Sequence, residues 1–319
     1  MGVLETITAE SAVLEKIFED LHTHPELGFQ ENRTAKIVAA RLTEIGVDEV
    51  HEGIGGTGVV ALIKGTGGGN RRVGLRADMD ALPITETTGL AYASTTPGVM
   101  HACGHDGHTT MLLGAAEYLA KTRGFDGTAV LIFQPAEEGL GGARAMLADN
   151  LFQRFPCDEA YGLHNNPMSA PGTATICKGT AMAGAEFFDI SIAGTVSHAA
   201  MHHQSRDSVV AAGALIGALQ TVVSRNVAPL DACVFSITQV HAGSAYNVVP
   251  GEAALAGTIR YFKDSVKDLA QRRMDEICQG LGVAHGVQIT VQMQNIFDVL
   301  INDTALSDAY LEAAKDVLG

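Results

Sequence analysis

The chain has 319 residues, of which 46% are hydrophobic and 18% are charged, a composition that favours folded domains over disorder. The formal net charge of −15 repels phosphate backbones and anionic lipid, so neither nucleic acid nor a membrane surface is an expected partner. The five cysteines contain no Cys-x-x-Cys pair, which argues against a disulfide framework and predicts a reducing, cytoplasmic location.

The first half of the chain alternates between helical and strand patterns. Apolar residues recur at helical spacing in 14–21 and 37–45. The segment GVVALIKGTGGGNRRVGLRAD then predicts two strands around a glycine-rich turn. A helix over 107–121 and short strands at 127–134 and 159–164 complete the pattern. This alternation predicts an α/β fold, with helices on both faces of a sheet.

The second half of the chain follows a different pattern. A strand in EFFDISIAG precedes an Ala/Val/Leu-rich helix at 207–224, the strands ACVFSITQV and AALAGTIRYF, a helix at 264–281 and a strand VQITVQM. This βαββαβ order is that of a ferredoxin-like α+β unit. We therefore predict an inserted domain at 179–294, between a first domain at 1–178 and a return to it at 295–319. No apolar run is expected to reach the roughly 20 residues of a membrane span.

The densest cluster of ligand-type side chains is HACGHDGH, residues 101–108. Cys103 and His105 lie two positions apart and can approach one ion from a loop. A thiolate together with an imidazole suits zinc, nickel or cobalt. The other two histidines and the aspartate are candidates for fixing the tautomers of ligand histidines. The less favoured explanation is a polar loop that precedes a helix.

Three further motifs follow predicted strands. Glu137 and Glu138 in QPAEEG are adjacent, so that one can ligate a metal while the other serves as a base. His164 in YGLHNNP ends a second strand, and Asp78 in LRADMDALP ends a third, where it can orient a ligand histidine. Asp80 is equally suited to capping the next turn. Each motif alone is compatible with an ordinary loop, but strand ends of an α/β sheet share an edge, and together they predict a metal site.

These motifs also carry a resemblance. LRADMDALPITE, MHACGHDGHTTMLLGAA, FQPAEEG and YGLHNNP, in this order and after the opening HTHPELGFQE, resemble the amidohydrolase branch of the aminoacylase and carboxypeptidase-G metallopeptidase family. Hippurate hydrolases and plant auxin-conjugate hydrolases belong to that branch. The resemblance extends over essentially the whole chain. It implies a zinc-exopeptidase-like catalytic domain with a mixed, mostly parallel sheet, and an inserted lid domain that forms homodimer contacts.

The resemblance implies a role for individual residues as well. It implies two divalent ions, drawn from zinc, manganese, cobalt and nickel. Their expected ligands are Cys103, His105, Glu138 and His164. Glu137 matches the base that activates water. In the lid, His198 matches a histidine that polarises the scissile carbonyl, and Asn247 and Arg260 match positions that contact the substrate, the arginine being suited to a carboxylate.

The activity implied is metal-dependent hydrolysis of the amide bond of an N-acyl amino acid, such as hippurate or an N-acetyl amino acid. The products are a carboxylic acid and a free amino acid. The family pattern continues with a Glu-Asp motif and a final metal-binding histidine, and neither follows Gly319. One alternative is therefore a catalytically silent, metal-binding dimeric module. A dipeptidase or aminopeptidase is the other alternative.

Overall fold

The structure is a computed structural model that describes residues 2–318. Contacts within the chain divide it into two compact units. Unit 1 comprises Met1–Ala174 and Tyr310–Gly319, and unit 2 comprises Thr175–Ala309. Unit 2 thus contains the segment 179–294 together with short stretches on either side of it.

Unit 1 is built on a mixed sheet. Its strands β1 to β5 span Glu49–Ile54, Gly58–Lys64, Arg72–Asp78, Thr128–Gln134 and Glu159–Gly162. Its helices α1 to α6 span Val3–Thr8, Ser11–Thr23, Asn32–Glu44, His105–Thr122, Gly142–Ala148 and Leu151–Arg154. The strand order is β1-β2-β4-β3-β5, in which β3 is parallel to β4 and β5, whereas β2 is antiparallel to β1 and β4. The predicted α/β class with a mixed sheet is confirmed.

Alternation along β2 explains why helices cover both faces of this sheet. Successive side chains of a strand point to opposite faces. Odd-numbered positions of β2 enter a core shared with α3 and α4, and even-numbered positions enter a second core shared with α5 and α6. The first group is Val59, Ala61 and Ile63, and the second is Val60 and Leu62.

The glycine-rich segment between β2 and β3 is not a hairpin turn, because β4 lies between these two strands. The segment crosses the loop that precedes β4. A Cβ atom at Gly65 would lie 2.1 Å from the carbonyl oxygen of Phe125, so only glycine permits this approach. Strand β1 was absent from the predicted elements, because EVHEGI has a weak apolar alternation and remains partly exposed.

Unit 2 has the order predicted for a ferredoxin-like unit. Its antiparallel sheet has the order β12-β7-β11-β9, with α7 and α8 joining strands of this sheet. Strands β6 to β13 span Gly179–Met182, Gly184–Ala193, Ser197–His198, Cys233–Ala242, Val248–Val249, Glu252–Tyr261, Gln288–Phe297 and Leu300–Asn302. Helices α7 and α8 span Ser208–Leu219 and Asp264–His285, with a 3-10 segment at Ala199–Gln204 and a π-helical turn at Val222–Asn226. Helix α9 spans Thr304–Leu318, and its part from Tyr310 onward belongs to unit 1.

The helix predicted at 207–224 differs from the expectation in two ways. Helix α7 ends at Leu219 and gives way to the π-helical turn. The stretch Ser208–Asn226 is also long and apolar enough, by length and composition alone, to cross a membrane, so the expectation that no such run exists was wrong. Within unit 2, Ala211 and Leu215 of α7 lie in the same hydrophobic core as Phe188 and Leu255 of the sheet, and a core helix of this kind meets the same criterion.

Candidate metal centre

The polar side chains of unit 1 gather where three neighbouring strands end. Strands β4, β3 and β5 are parallel and adjacent, so their carboxyl ends lie at one edge of the sheet. Asp78 is the last residue of β3, Glu137 follows the end of β4, and His164 follows the end of β5. The first residue of α4, His105, lies close to all three loops.

Cys103 and His164 are neighbours in space although 61 positions separate them. Their Sγ and Nε2 atoms lie 3.3 Å apart. With His105 they form a set of three potential ligands whose donor atoms all lie within 4.8 Å of one another. Gly104, between Cys103 and His105, allows the backbone to lie this close to the loop after β5. Its φ is +90°, and a Cβ there would lie 2.7 Å from the side chain of Asn165, so another residue would not fit.

Asp80 fixes the orientation of His105. The imidazole is fully buried, and its Nδ1 lies 3.2 Å from Oδ1 of Asp80. A carboxylate there accepts a hydrogen bond from Nδ1–H and leaves the lone pair of Nε2 free for a cation. Burial raises the pKa of Asp80, but hydrogen bonds from His105 and from the amides of Glu138 and Glu137 outweigh it and leave the pKa below its usual value.

Asp80 therefore does more than cap a turn. Its other oxygen accepts a hydrogen bond of 2.9 Å from the backbone N–H of Glu138, so a single carboxylate links the start of α4 to the loop after β4. The sequence held one signal for this role: Asp78 and Asp80 are two apart at a strand end, a spacing that directs both side chains to one side of the strand.

The adjacent glutamates differ in their surroundings. Oε1 of Glu138 lies 3.9 Å from Nε2 of His105. Glu137 is half-buried, and burial followed by the negative charge of Glu138 raises the pKa of its carboxyl group. Glu137, Glu138 and His105 form another set of donors within 4.8 Å.

Asp78 orients a histidine, but that histidine is His108 rather than one of the four expected ligands. Its Oδ1 lies 2.6 Å from Nδ1 of His108, and its Oδ2 accepts a hydrogen bond of 2.7 Å from Arg76. Burial raises the pKa of Asp78, yet the bond to His108 and the charge of Arg76 lower it to about 2. Nε2 of His108 receives the backbone N–H of Asn165 at 3.0 Å, so both ring nitrogens are occupied, and His108 steadies the residue next to His164.

Among residues 2–318, no hydrogen bond joins Asp106 or His101 to an expected metal ligand. Asp106 binds His22 of α2, with its Oδ2 2.6 Å from Nδ1. His101 is buried, and burial lowers its pKa to about 4. Within residues 2–318, neither ring nitrogen of His101 has a hydrogen-bond partner.

The donor set fits divalent cations. Nε2 of His105 and Oε1 of Glu138 are buried and have no hydrogen-bond partner in the part of the chain that the structure describes, an arrangement that is unfavourable unless a cation or water satisfies both. Burial, followed by the Glu138 carboxylate, raises the pKa of the Cys103 thiol to about 12. A thiolate at this position thus needs a nearby cation, and thiolate, imidazole and carboxylate are ligands that zinc accepts.

The expected substrate-contacting residues all lie in unit 2. His198 is exposed at the end of β8, where its Nδ1 accepts a hydrogen bond of 3.1 Å from the amide of Ala200. Asn247 is exposed just before β10, and its carbonyl accepts the N–H of Ala199 at 2.9 Å. Arg260 lies half-buried on β11, where its guanidinium contacts the hydroxyl of Thr258.

Comparison with known proteins places the chain in a family. Residues 74–319 match Peptidase family M20/M25/M40. The chain belongs to this family. Hippurate hydrolase of Campylobacter jejuni is 42% identical over 319 residues, covering 100% of this chain and 82% of that protein. N-acetyldiaminopimelate deacetylase of Exiguobacterium sibiricum is 39% identical over 296 residues, covering 93% and 80%.

A solved structure extends this similarity to the fold. The YXEP protein of Bacillus subtilis, a dinuclear metal binding peptidase from the M20 family, superimposes with a TM-score of 0.83 at 35% identity, covering 97% of this chain and 81% of that one. The resemblance seen in the motifs is confirmed, and the chain is a hydrolase of a metal-binding family.

The two histidines of α4 allow a test of the ligand assignment. We expect His105→Ala to lose bound metal, because it removes a donor atom. His108→Ala should keep the metal content at saturation and weaken the affinity by about 10–100-fold, the usual effect of removing a residue that orients a ligand. Metal titration followed by elemental analysis measures both quantities. A His108→Ala protein that takes up less metal at saturation than the wild type would show that His108 is itself a ligand.

Proposed function

We propose that this chain hydrolyses the amide bond of N-acyl amino acids, such as hippurate or N-acetyl amino acids, in a metal-dependent reaction. One observation carries the proposal: a set of metal-type donors lies beside Glu137, a half-buried carboxylate whose pKa is raised. The names of the similar hydrolases support the substrate class, since they act on hippurate and on N-acetyldiaminopimelate.

The donors would hold two divalent ions, drawn from zinc, manganese, cobalt and nickel. Their ligands would be Cys103, His105, Glu138 and His164. When bound, such ions lower the pKa of water and polarise a carbonyl group. Support comes from the unpartnered atoms of His105 and Glu138 and from the contact between Cys103 and His164.

Glu137 would act as general base and then as general acid. Its carboxylate takes a proton from the attacking water and gives it to the nitrogen of the leaving amine. A base that must later donate needs a pKa closer to neutrality than an exposed glutamate has. Burial and the charge of Glu138 shift the pKa of Glu137 in this direction.

Unit 2 would supply the groups that recognise the substrate. Because Nδ1 of His198 accepts a hydrogen bond, the proton of the neutral ring lies on Nε2. That N–H can donate to the acyl carbonyl oxygen as negative charge develops there. Arg260 would bind the carboxylate of the amino acid, for which a planar guanidinium is well suited, and Asn247 would add a polar contact.

Replacement of Glu137 tests the reaction directly. We expect Glu137→Gln to retain both metal ions and to lose turnover of hippurate and N-acetyl amino acids by at least about 100-fold, within the range attributed to general acid–base catalysis. Released amino acid measures the rate, and elemental analysis measures the metal.

Glu138→Gln is the matched control, because it changes the neighbouring carboxylate in the same way. That variant should lose metal affinity, and its activity should respond to added metal. A Glu137→Gln protein with the wild-type rate would remove Glu137 from the reaction.

We also propose a homodimer formed through unit 2. Strand β9 is an outer strand of the sheet, and its residues 238–242 are exposed. An outer strand offers backbone groups for pairing with a second copy. Sedimentation equilibrium should give twice the chain mass of 33.3 kDa, whereas a mass of one chain would contradict the dimer.

A cytoplasmic location is proposed on the chemistry of Cys103. All five cysteines are free, and a thiolate ligand is kept intact by a reducing compartment. Cell fractionation should recover the protein with cytoplasmic markers. Recovery in a secreted or periplasmic fraction would contradict this location.

A further inference from the structure

The opening segment HTHPELGFQE, residues 22–31, contacts two of the loops that build the metal centre. Leu27 forms a parallel bridge with Ala81, directly after Asp80. A Cβ at Gly28 would lie 3.0 Å from Cα of Ala136, so the segment packs closely on the loop after β4. The proposed reaction gives this segment no role.

The last residue of this segment, Glu31, is a fully buried carboxylate with a defined partner for each oxygen. Its Oε1 accepts a hydrogen bond of 2.8 Å from the backbone N–H of Ala136. Its Oε2 accepts a hydrogen bond of 2.5 Å from the hydroxyl of Thr57. Glu31 has no exposed surface, so these contacts are not exchanged for contacts with bulk water.

Ala136 adopts a conformation that alanine disfavours. Its φ is +49°, in the left-handed region, where an L residue is less stable than in the right-handed region by roughly ten-fold in population. Surrounding contacts hold it there: the N–H of Gly142 binds the carbonyl of Ala136 at 2.9 Å, and Ala136 is itself fully buried. Because Ala136 directly precedes Glu137, its backbone angles set the direction in which the Glu137 carboxylate leaves the loop.

Two buried carboxylates accept hydrogen bonds from three consecutive backbone amides of this loop. Glu31 accepts the N–H of Ala136, and Asp80 accepts those of Glu137 and Glu138. Hydrogen bonds to a charged acceptor are about twice as strong as neutral ones. Glu31 thus supplies a charge-assisted hydrogen bond to the residue with the unfavourable angle.

We propose that Glu31 is a positioning residue, which holds Ala136 in the left-handed conformation and thereby aims the carboxylate of Glu137. This inference rests on the proposed role of Glu137 as the base. Among residues 2–318, the hydrogen bonds of the Glu31 side chain go to Thr57 and to the amide of Ala136, not to an expected metal ligand. Its removal is expected to lower kcat more than it raises KM, because the substrate-binding residues are elsewhere.

The central test is Glu31→Met, which keeps a similar side-chain size and removes both oxygens. We expect kcat to fall by about 100-fold, the effect of a small misplacement of a reacting group, while KM stays within about three-fold of wild type. The backbone amide of Ala136 should exchange with deuterium at least about ten-fold faster than in the wild type. Glu31→Gln keeps a weaker acceptor, so both effects should be smaller there.

A double variant separates positioning from a purely structural role. Glycine adopts positive φ without strain. Ala136→Gly in the Glu31→Met background should therefore raise kcat by roughly ten-fold, because it removes the roughly ten-fold population disadvantage of an L residue in the left-handed region. A residue that only stabilises the fold would give no such recovery. Wild-type kcat with wild-type exchange in Glu31→Met, or no recovery in the double variant, would overturn the proposal.

Two further outcomes are covered by the same experiment. If Glu31→Met does not give folded protein, the same two measurements are made on Glu31→Gln. Unchanged kcat together with unchanged exchange at Ala136 in that variant would overturn the proposal. The exchange measurement needs no substrate. A wild-type chain that did not hydrolyse N-acyl amino acids would therefore count against the proposed function, while the exchange at Ala136 would still decide whether Glu31 holds the loop.

Discussion

The carboxylate of Asp80 is almost completely buried, and a buried charge is tolerated only when hydrogen bonds surround it. It accepts a hydrogen bond from Nδ1–H of His105 on one side and from the backbone amides of Glu137 and Glu138 on the other. These contacts join the start of α4 to the loop after β4. The donor atoms of the site lie on separate segments at the edge of the sheet. The hydrogen bonds to Asp80 fix two of these segments relative to each other, and so keep their donor atoms close together.

The carboxylates around this point repel each other. Glu31, Asp78, Asp80, Glu137 and Glu138 lie in one region. Burial, and after it neighbouring negative charge, raises the pKa of Glu31, Glu137 and Cys103. Protein cations and amides compensate for part of this charge, as Arg76 does for Asp78. Divalent ions would compensate for the rest, and the donor set is therefore better suited to positive ions than to a neutral ligand.

Sequence patterns were sufficient for most elements of the fold, because β2, β4 and α4 have clear apolar periodicity and clear ends. They were also sufficient to predict that Asp78, Glu137 and His164 lie at one edge, since parallel strands end on the same side. Asp80 and Glu31 were not assigned these roles. Their contacts join residues 58 and 105 positions apart. The spacing of Asp78 and Asp80 indicates a shared direction at the strand end, but it does not identify the distant partner of either Asp80 or Glu31. The roles expected for His198, Asn247 and Arg260 came from the family resemblance alone.

The short strands β6 and β13 pair with each other, with Gly179 opposite Asn302. The chain therefore enters and leaves the ferredoxin-like unit through a single two-stranded ribbon. A segment attached in this way has both of its ends at one place, as an insertion into a surface loop does. During evolution, a segment inserted in this way can be replaced as a whole at this junction, while unit 1 keeps its sheet, its cores and its buried carboxylates intact.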